Sequence, residues 1–324
     1  MAPSRITDSP VNELVEDNTK PTIYLLDDFH PAVHAYCEEH FNTIDKSHPA
    51  HKNWRQGEYL LVRSSRLTAE DIKSCPNLRA IGKQGVGIEK IDAEACAARG
   101  IPILNTPGVN AQAVAEVVLA LTMTVARQIG TIVGKHSHGI LVPKEKCSGL
   151  LLHRKTIGIL GMGNIGKAVA RIFRGAFDAE IIAYDPFLPS GAWEEIPHVR
   201  AESVDQVLVA SDMITVHMPL TPRTANLIGY AEMQRMKNTA ILINTARGGI
   251  INEKDLERAL SERLIWGAGL DCHEQEPPSK ERYGGLWDLG VASTPHIGAA
   301  TGETQMQTGL TAATKLFEFA TSAV

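Results

Sequence analysis

The stretch Ile157-Gly158-Ile159-Leu160-Gly161-Met162-Gly163-Asn164-Ile165-Gly166 constrains this chain more than any other part of it. An apolar run passes into a G-x-G-x-x-G pattern, and Val169, Ile172 and Phe173 then recur at helical spacing. A strand must therefore enter a tight turn and leave it as a helix. The three glycines do separate jobs in such a motif. The first permits the turn, the second lets a pyrophosphate approach the backbone, and the third lets helix and strand pack closely. Free N–H groups at the helix start then hold the anion. A glycine-rich turn alone is a weak signal, but a second β-branched run ends in Tyr184-Asp185-Pro186. Asp185 lies about twenty residues beyond Gly166, where a carboxylate accepts hydrogen bonds from an adenine ribose. That carboxylate also repels a 2′-phosphate, so NAD is expected rather than NADP. The plainer alternative for Asp185, a turn former before Pro186, carries less weight in this context.

Around this motif, short β-branched runs alternate with helical patterns, the mark of parallel sheets with crossover helices. Thr22–Asp27, Tyr59–Arg63, Leu78–Ile81 and Ile101–Leu104 read as strands, and Pro31–His40, Thr68–Ser74 and Asp92–Arg99 as helices. Ala111–Ile129 reads as one long helix with Val114, Val117, Val118 and Leu121 on a buried face, and Gly130–Gly149 as an irregular surface connection. Further strands are expected at Thr156–Leu160, Glu180–Tyr184, Met213–Val216, Ala240–Asn244, Gly267–Asp271 and Val291–Ser293. Asn252 is placed to cap the next helix, with Asp255 three residues on as a variant of the capping box. A final helix is expected over Glu303–Ala320, returning to the first domain.

Composition serves mainly to exclude. Thirty-two basic against 37 acidic residues give a net charge of −5, with no basic footprint for nucleic acid or an anionic membrane. An anionic substrate must then be held by a local group of cations. The five cysteines (Cys37, Cys75, Cys96, Cys147 and Cys272) are scattered and never form a C-x-x-C pair. That speaks against a disulfide framework or a zinc knuckle, so no metal is called for and a reducing, cytoplasmic location is expected. No stretch reaches the roughly 18 apolar residues of a membrane helix, and residues 1–20 read as a mobile leader without a signal sequence.

Strand ends supply the candidates for chemistry. Arg247 follows one expected strand in Asn244-Thr245-Ala246-Arg247-Gly248-Gly249, at the carboxyl edge where ligands bind in open α/β sheets. Its planar fork can grip a carboxylate, although a lone arginine could also be a surface cation. Asp271-Cys272-His273-Glu274-Gln275-Glu276-Pro277 follows the next strand, and Ser293-Thr294-Pro295-His296-Ile297-Gly298 the last. Reducing a 2-oxo acid needs a cation for the carboxylate, a proton donor for the ketone oxygen, and a group that keeps the donor protonated. Arg247, His296 and Glu276 suit these roles, with His273 and Glu274 as a second-tier pair. Cys272 could be oxidation-sensitive or simply a small buried residue.

Together, the glycine motif with Tyr184–Pro186, Val216–Thr221, Asn244–Gly249, Glu276-Pro277 and Thr294–Gly298 resemble the D-isomer-specific 2-hydroxyacid dehydrogenases, which include phosphoglycerate dehydrogenase and glyoxylate/hydroxypyruvate reductase. Gly82–Gly87 and Asn105–Glu116 resemble the same family's substrate-side motifs. The resemblance implies an α/β protein of two doubly wound parallel-sheet domains. A Rossmann NAD domain, residues 111–298, is inserted into a flavodoxin-like substrate domain formed by 1–110 and 299–324. It also implies NAD(H)-dependent interconversion of a D-2-hydroxy acid and its 2-oxo acid by a homodimer, with reduction favoured.

By the same resemblance Arg247, Glu276 and His296 form the catalytic triad. Gly161, Gly163, Asn164, Ile165, Gly166, Asp185, His217, Pro219, Thr224, Thr245, Ala246, Asp271 and Gly298 line the cofactor, Asp271 at the nicotinamide carboxamide. Arg63, Ser64, Val86 and Gly87 resemble the part that receives the substrate carboxylate. The chain departs from the family pattern at Lys83-Gln84 and Glu89-Lys90, which puts the substrate side chain in doubt. Arg63, Arg66 and Lys83 hint at a second anionic group on the substrate, or at an ordinary charged rim. An NAD(H)-sensing corepressor-like binding protein of the same fold is the alternative function.

Overall fold

A computed structural model describes residues 20–189 and 191–322; the expected leader lies outside them except for Lys20. The contacts divide the chain into two compact units, one up to Thr106 together with the stretch from Gln305, the other Pro107–Thr304.

The first unit carries β1 (Thr22–Leu25), α1 (Pro31–His40), β2 (Asn42–Ile44), β3 (Tyr59–Val62), α2 (Ala69–Lys73), β4 (Ala80–Lys83), α3 (Ala93–Ala98) and β5 (Ile103–Leu104). All strand pairs are parallel, in the flavodoxin-like order β2-β1-β3-β4-β5. Such a sheet is covered on both faces, so β3 is buried at every residue. Alternate side chains feed different cores: Ile23, Leu25 and Leu61 join Val33 of α1, whereas Tyr24, Leu60 and Val62 join Ile72 of α2. Thr68 and Asp71 form a reciprocal capping box at the start of α2, with bonds of 3.2 and 3.0 Å. Ala312, Ala313 and Leu316 of the last helix, α11 (Gly302–Ser322 in chain order), complete the first of these cores.

The second unit opens with α4 (Ala111–Ala126) and α5 (Ile129–Ser137), followed by β6 (Thr156–Leu160), α6 (Asn164–Phe177), β7 (Glu180–Tyr184), β8 (Val199–Arg200) and α7 (Val204–Ala210). It continues through β9 (Met213–Val216), α8 (Tyr230–Met233), β10 (Ile241–Asn244), α9 (Glu253–Ser261), β11 (Gly267–Leu270), α10 (Lys280–Asp288) and β12 (Ala292–Ser293). Its parallel sheet runs β12-β11-β10-β9-β6-β7-β8. The order reverses between β6 and β9, the switch point beside which open α/β sheets bind ligands. Ile157 and Ile241 pack in the same core as Val118 and Leu121 of α4, while Leu242 of the same sheet faces Leu256 of α9.

Three expectations need correction. The helix expected over Ala111–Ile129 stops at Ala126, because the Ala126 carbonyl accepts from Leu150 N (2.8 Å) as the chain returns, and Gln128 takes a left-handed conformation (φ 53°). The supposed irregular connection from Gly130 then begins as helix α5, which buries none of its residues and so leaves no apolar periodicity to read. The capping box at Asn252 is half formed. Asn252 accepts from Asp255 N (3.0 Å), but the Asp255 carboxylate accepts from Tyr230 N (3.0 Å), because Asn252 N already donates to Ile228 O. Among the described residues no single helix is long and apolar enough to cross a membrane. α4 and α5 pass that test only as a pair bent by 69°.

Candidate active site

β6 delivers the chain into Gly161, whose φ of +102° and close approach to β9 both require glycine: an added Cβ would lie 2.3 Å from His217 O. Gly163, by contrast, faces open space, and α6 starts behind it with no side-chain cap. Its leading N–H groups, including those of Asn164, Ile165 and Gly166, form an uncapped positive helix end of 14 residues' length. Asp185, just past the end of β7, accepts from Met162 N and from Phe187 N, each at 2.9 Å. The carboxylate therefore ties the glycine loop to the neighbouring strand end.

Next along the edge, Val216 pairs with Asn244, so His217 and Thr245 leave their strands side by side. His217 bonds Thr215 Oγ1 through Nε2 (3.0 Å), while its buried Nδ1 has no partner, and Thr245 Oγ1 is likewise buried and unpartnered. Burial pushes the His217 pKa down to about 3, so the ring is neutral at pH 7. Thr224 Oγ1 donates to Pro219 O (2.7 Å) and shapes the segment after β9. Buried polar atoms rarely go unpaired. Two of them, an open glycine cradle and an uncapped helix start suit a dinucleotide. Replacing Gly161 with alanine sets about 1–3 kcal/mol of strain plus a backbone clash against this loop. NADH affinity should fall about tenfold to hundredfold in a fluorescence titration; unchanged affinity would contradict the placement.

The third strand end shows how His296 is held. Asp271 is fully buried; its Oδ1 accepts from Thr294 Oγ1 (2.6 Å) and Ile297 N (2.7 Å), its Oδ2 from Gly298 N (2.9 Å), and its carbonyl from His296 N (2.8 Å). Four bonds from one residue fix the loop after β12 and stabilise the left-handed conformation of His296 (φ 59°). This scaffolding role was not legible in the sequence, where Asp271 and Gly298 stand only as cofactor positions. The imidazole then projects so that Nδ1 lies 3.0 Å from Glu276 Oε2 and 3.1 Å from Oε1. Glu276 also accepts from His273 N at 3.2 Å.

Arg247 comes to the same place by a different route. Asn244 Oδ1 accepts from Ala246 N (3.0 Å) and its Nδ2 donates to Arg247 O (2.8 Å), turning the chain sharply after β10. Gly248 then lies against the segment after β11: a Cβ there would be 2.0 Å from the His273 carbonyl carbon. Cys272 Sγ donates to Ala246 O (3.3 Å) across this seam. Burial, with the Asp271 and Glu276 charges, pushes the Cys272 thiol well above its ordinary pKa, and the nearby Arg247 guanidinium opposes the shift. The structure thus brings Arg247, Glu276 and His296 to adjacent strand ends of one sheet. The second-tier pair is otherwise engaged. His273 is buried, bonded to Ser293 Oγ (2.8 Å) and edge-on to Tyr283; Glu274 pairs with Arg282.

In the first unit, Asp27 collects the backbone N–H groups of Arg63 (2.6 Å), Ser64 (3.0 Å) and Ser65 (3.1 Å) at the carboxyl end of β3. Burial alone would raise its pKa, but these donors hold it below the usual carboxylate value. Arg63, Ser64 and Arg66 are exposed. Lys83, grouped with them as a rim cation, is instead buried and donates to Gln84 O (2.5 Å). Val86 is exposed, with its carbonyl accepting from Asn105 Nδ2 (2.7 Å), and Gly87 follows it on the same loop.

Residues 119–298 match the model of the D-isomer specific 2-hydroxyacid dehydrogenase NAD binding domain. The chain is 38% identical over 81% of its length to a hydroxypyruvate reductase of Thermotoga maritima, covering 84% of that protein. It is 36% identical over 79% of its length to a D-3-phosphoglycerate dehydrogenase of Methanocaldococcus jannaschii, and spans 48%, about half, of that longer relative. The crystal structure of a glyoxylate reductase from Paecilomyes thermophila superposes with a TM-score of 0.79 at 28% identity, covering 92% of this chain and 95% of that one.

Proposed function

The chain belongs to the D-isomer-specific 2-hydroxyacid dehydrogenase family, and from that premise we propose that it reduces a small 2-oxo acid to the D-2-hydroxy acid with NADH. The observation that carries this reading is the Glu276–His296 pair, 3.0 Å apart, at the same sheet edge where the chain carrying Arg247 leaves its strand. The glycine loop, Asp185, His217 and Thr245 would hold the dinucleotide, whose chemistry there would be hydride donation to C2. Arg247 grips the substrate carboxylate in bidentate fashion and polarises the ketone. His296 gives its proton to the ketone oxygen, and Glu276, bonded at Nδ1, fixes the orientation of the ring. Asp271 keeps that ring in place through the loop backbone. In the oxidative direction His296 takes the hydroxyl proton instead. Arg63, Ser64, Val86 and Gly87 are assigned to the substrate side of the first unit, and the buried Lys83 is left out of that set.

A homodimer is part of the proposal. Ile129, Val133, Ile140 and Leu141 are exposed on α5 and just beyond it, and this concentration of large apolar side chains in a short stretch favours a covered surface. A cytoplasmic location belongs to the same proposal, and the free cysteines support it. The relatives' names favour turnover over a corepressor-like sensor, which would oxidise no NADH.

A spectrophotometric panel of 2-oxo acids, glyoxylate and hydroxypyruvate among them, run with NADH and NADPH in parallel tests the reading. NADH is expected to be preferred by at least about tenfold in kcat/KM, and Asp185→Ala to narrow the gap, since one like-charge contact is worth roughly 1–2 kcal/mol. A preference for NADPH would overturn the role of Asp185; no turnover with any acid would overturn the enzyme.

A further inference from the structure

We propose that Cys272, Glu276 and His296 form a three-ligand site for a soft divalent cation of the Zn²⁺ class, and that a bound cation withdraws the acid/base pair from turnover. The second half rests on the functional reading above; the first does not. One ligand atom from each residue lies within 4.8 Å of the other two, the only such group of histidine, cysteine and carboxylate side chains among the described residues. Zinc bonds of 2.0–2.3 Å place tetrahedral donors roughly 3.5 Å apart. Glu276 and His296 already meet that spacing at 3.0–3.1 Å, so the approach to the thiol is what must close, by about an ångström.

The two side chains that must move reach solvent, and Glu276 gives up only its 3.2 Å bond from His273 N. The Glu276 and His296 side chains are 37% and 42% exposed, which also gives the ion its way in, whereas Cys272 is buried and anchored on Ala246 O. Sulfur, nitrogen and one carboxylate oxygen suit zinc or cobalt and are poor ligands for magnesium or calcium. The Asp271 and Glu276 carboxylates lie beside the Cys272 sulfur, and their negative field attracts a dication. Binding replaces the thiol proton, and any proton on the imidazole, with the metal; the protons go to water and no electron moves. Arg247 opposes the cation, but two carboxylates and the new thiolate outweigh one guanidinium. The fourth position stays open to water, as in a site that is not a closed structural one.

The test uses the metal-free full chain titrated with Co²⁺, a spectroscopic stand-in for zinc. A thiolate-to-cobalt charge-transfer band should grow in and saturate at a single ion per chain, and added Zn²⁺ should abolish the band and inhibit NADH oxidation over the same range. In Cys272→Val, which keeps the buried volume, the band should vanish, zinc affinity should drop at least about tenfold, and activity without metal should stay within about twofold. The exposed Cys147 remains in that variant as an internal control. Should Val fail to fold, Cys272→Ser removes the same thiolate. A wild type without the band, or a variant that binds as tightly, overturns the site. If no oxo acid is turned over, the enzymatic reading falls while the cobalt band still reports on the site.

Discussion

Replacing His296 with asparagine is expected to lower kcat for 2-oxo acid reduction by about 10²–10⁴-fold, with KM and NADH affinity changing little. Asparagine is the informative choice because residue 296 sits at φ 59°, a conformation asparagine tolerates and alanine resists by roughly 1–2 kcal/mol. The backbone bonds by which Asp271 holds the loop are kept, since His296 and Ile297 contribute main-chain N–H groups. What is lost is the proton donor paired with Glu276. A fall in NADH affinity of the same size as the fall in kcat would mean that the loop had moved, and a variant with wild-type kcat would remove His296 from the mechanism. Stopped-flow and steady-state rates on one preparation separate these outcomes.

Removal of the Arg247 guanidinium should act differently. A bidentate grip on a carboxylate amounts to two charge-assisted hydrogen bonds, about 3–5 kcal/mol together, so Arg247→Ala should lose about 10²–10⁴ in kcat/KM with KM and kcat both affected. Arg247→Lys keeps the charge without the planar fork and should recover only part of the loss. Arg247→Ala removes the guanidinium's own bond to Ala246 O (2.6 Å), but the turn should survive because Asn244 still bonds the backbone of Ala246 and Arg247. Steady-state kinetics with one oxo acid at saturating NADH check this, and an unchanged KM in Arg247→Ala would contradict carboxylate binding.

What the sequence revealed of this molecule follows from where its signals are local. The strand–glycine loop–helix from Thr156 to Phe177 was legible because the steric need for glycine at 161 and the apolar face of α6 both act within a few residues. The ends of β10, β11 and β12 were legible for a similar reason, and they brought Arg247, Glu276 and His296 into view. α5 was not, since a helix with no buried residue has no periodic pattern, and β2 and β8 are edge strands of three and two residues. Asp27 and Asp271 were missed as scaffolds for a plainer reason. Asp27 reaches the loop at Arg63 only because β1 pairs with β3, and Asp271 reaches Thr294–Gly298 only because β11 pairs with β12. Those long-range pairings are invisible to spacing along the chain. Lys83 shows the converse, a charge that looks like a substrate contact in sequence and is buried in the structure.

The most direct measurement of the central claim follows the transferred atom itself. The chain is incubated with NADH deuterated at C4 and a 2-oxo acid that it consumes, and the product is analysed by NMR and chiral chromatography. The account predicts deuterium at C2 of a D-2-hydroxy acid, with the hydroxyl proton drawn from solvent. Deuterium found elsewhere, or an L product, would contradict it.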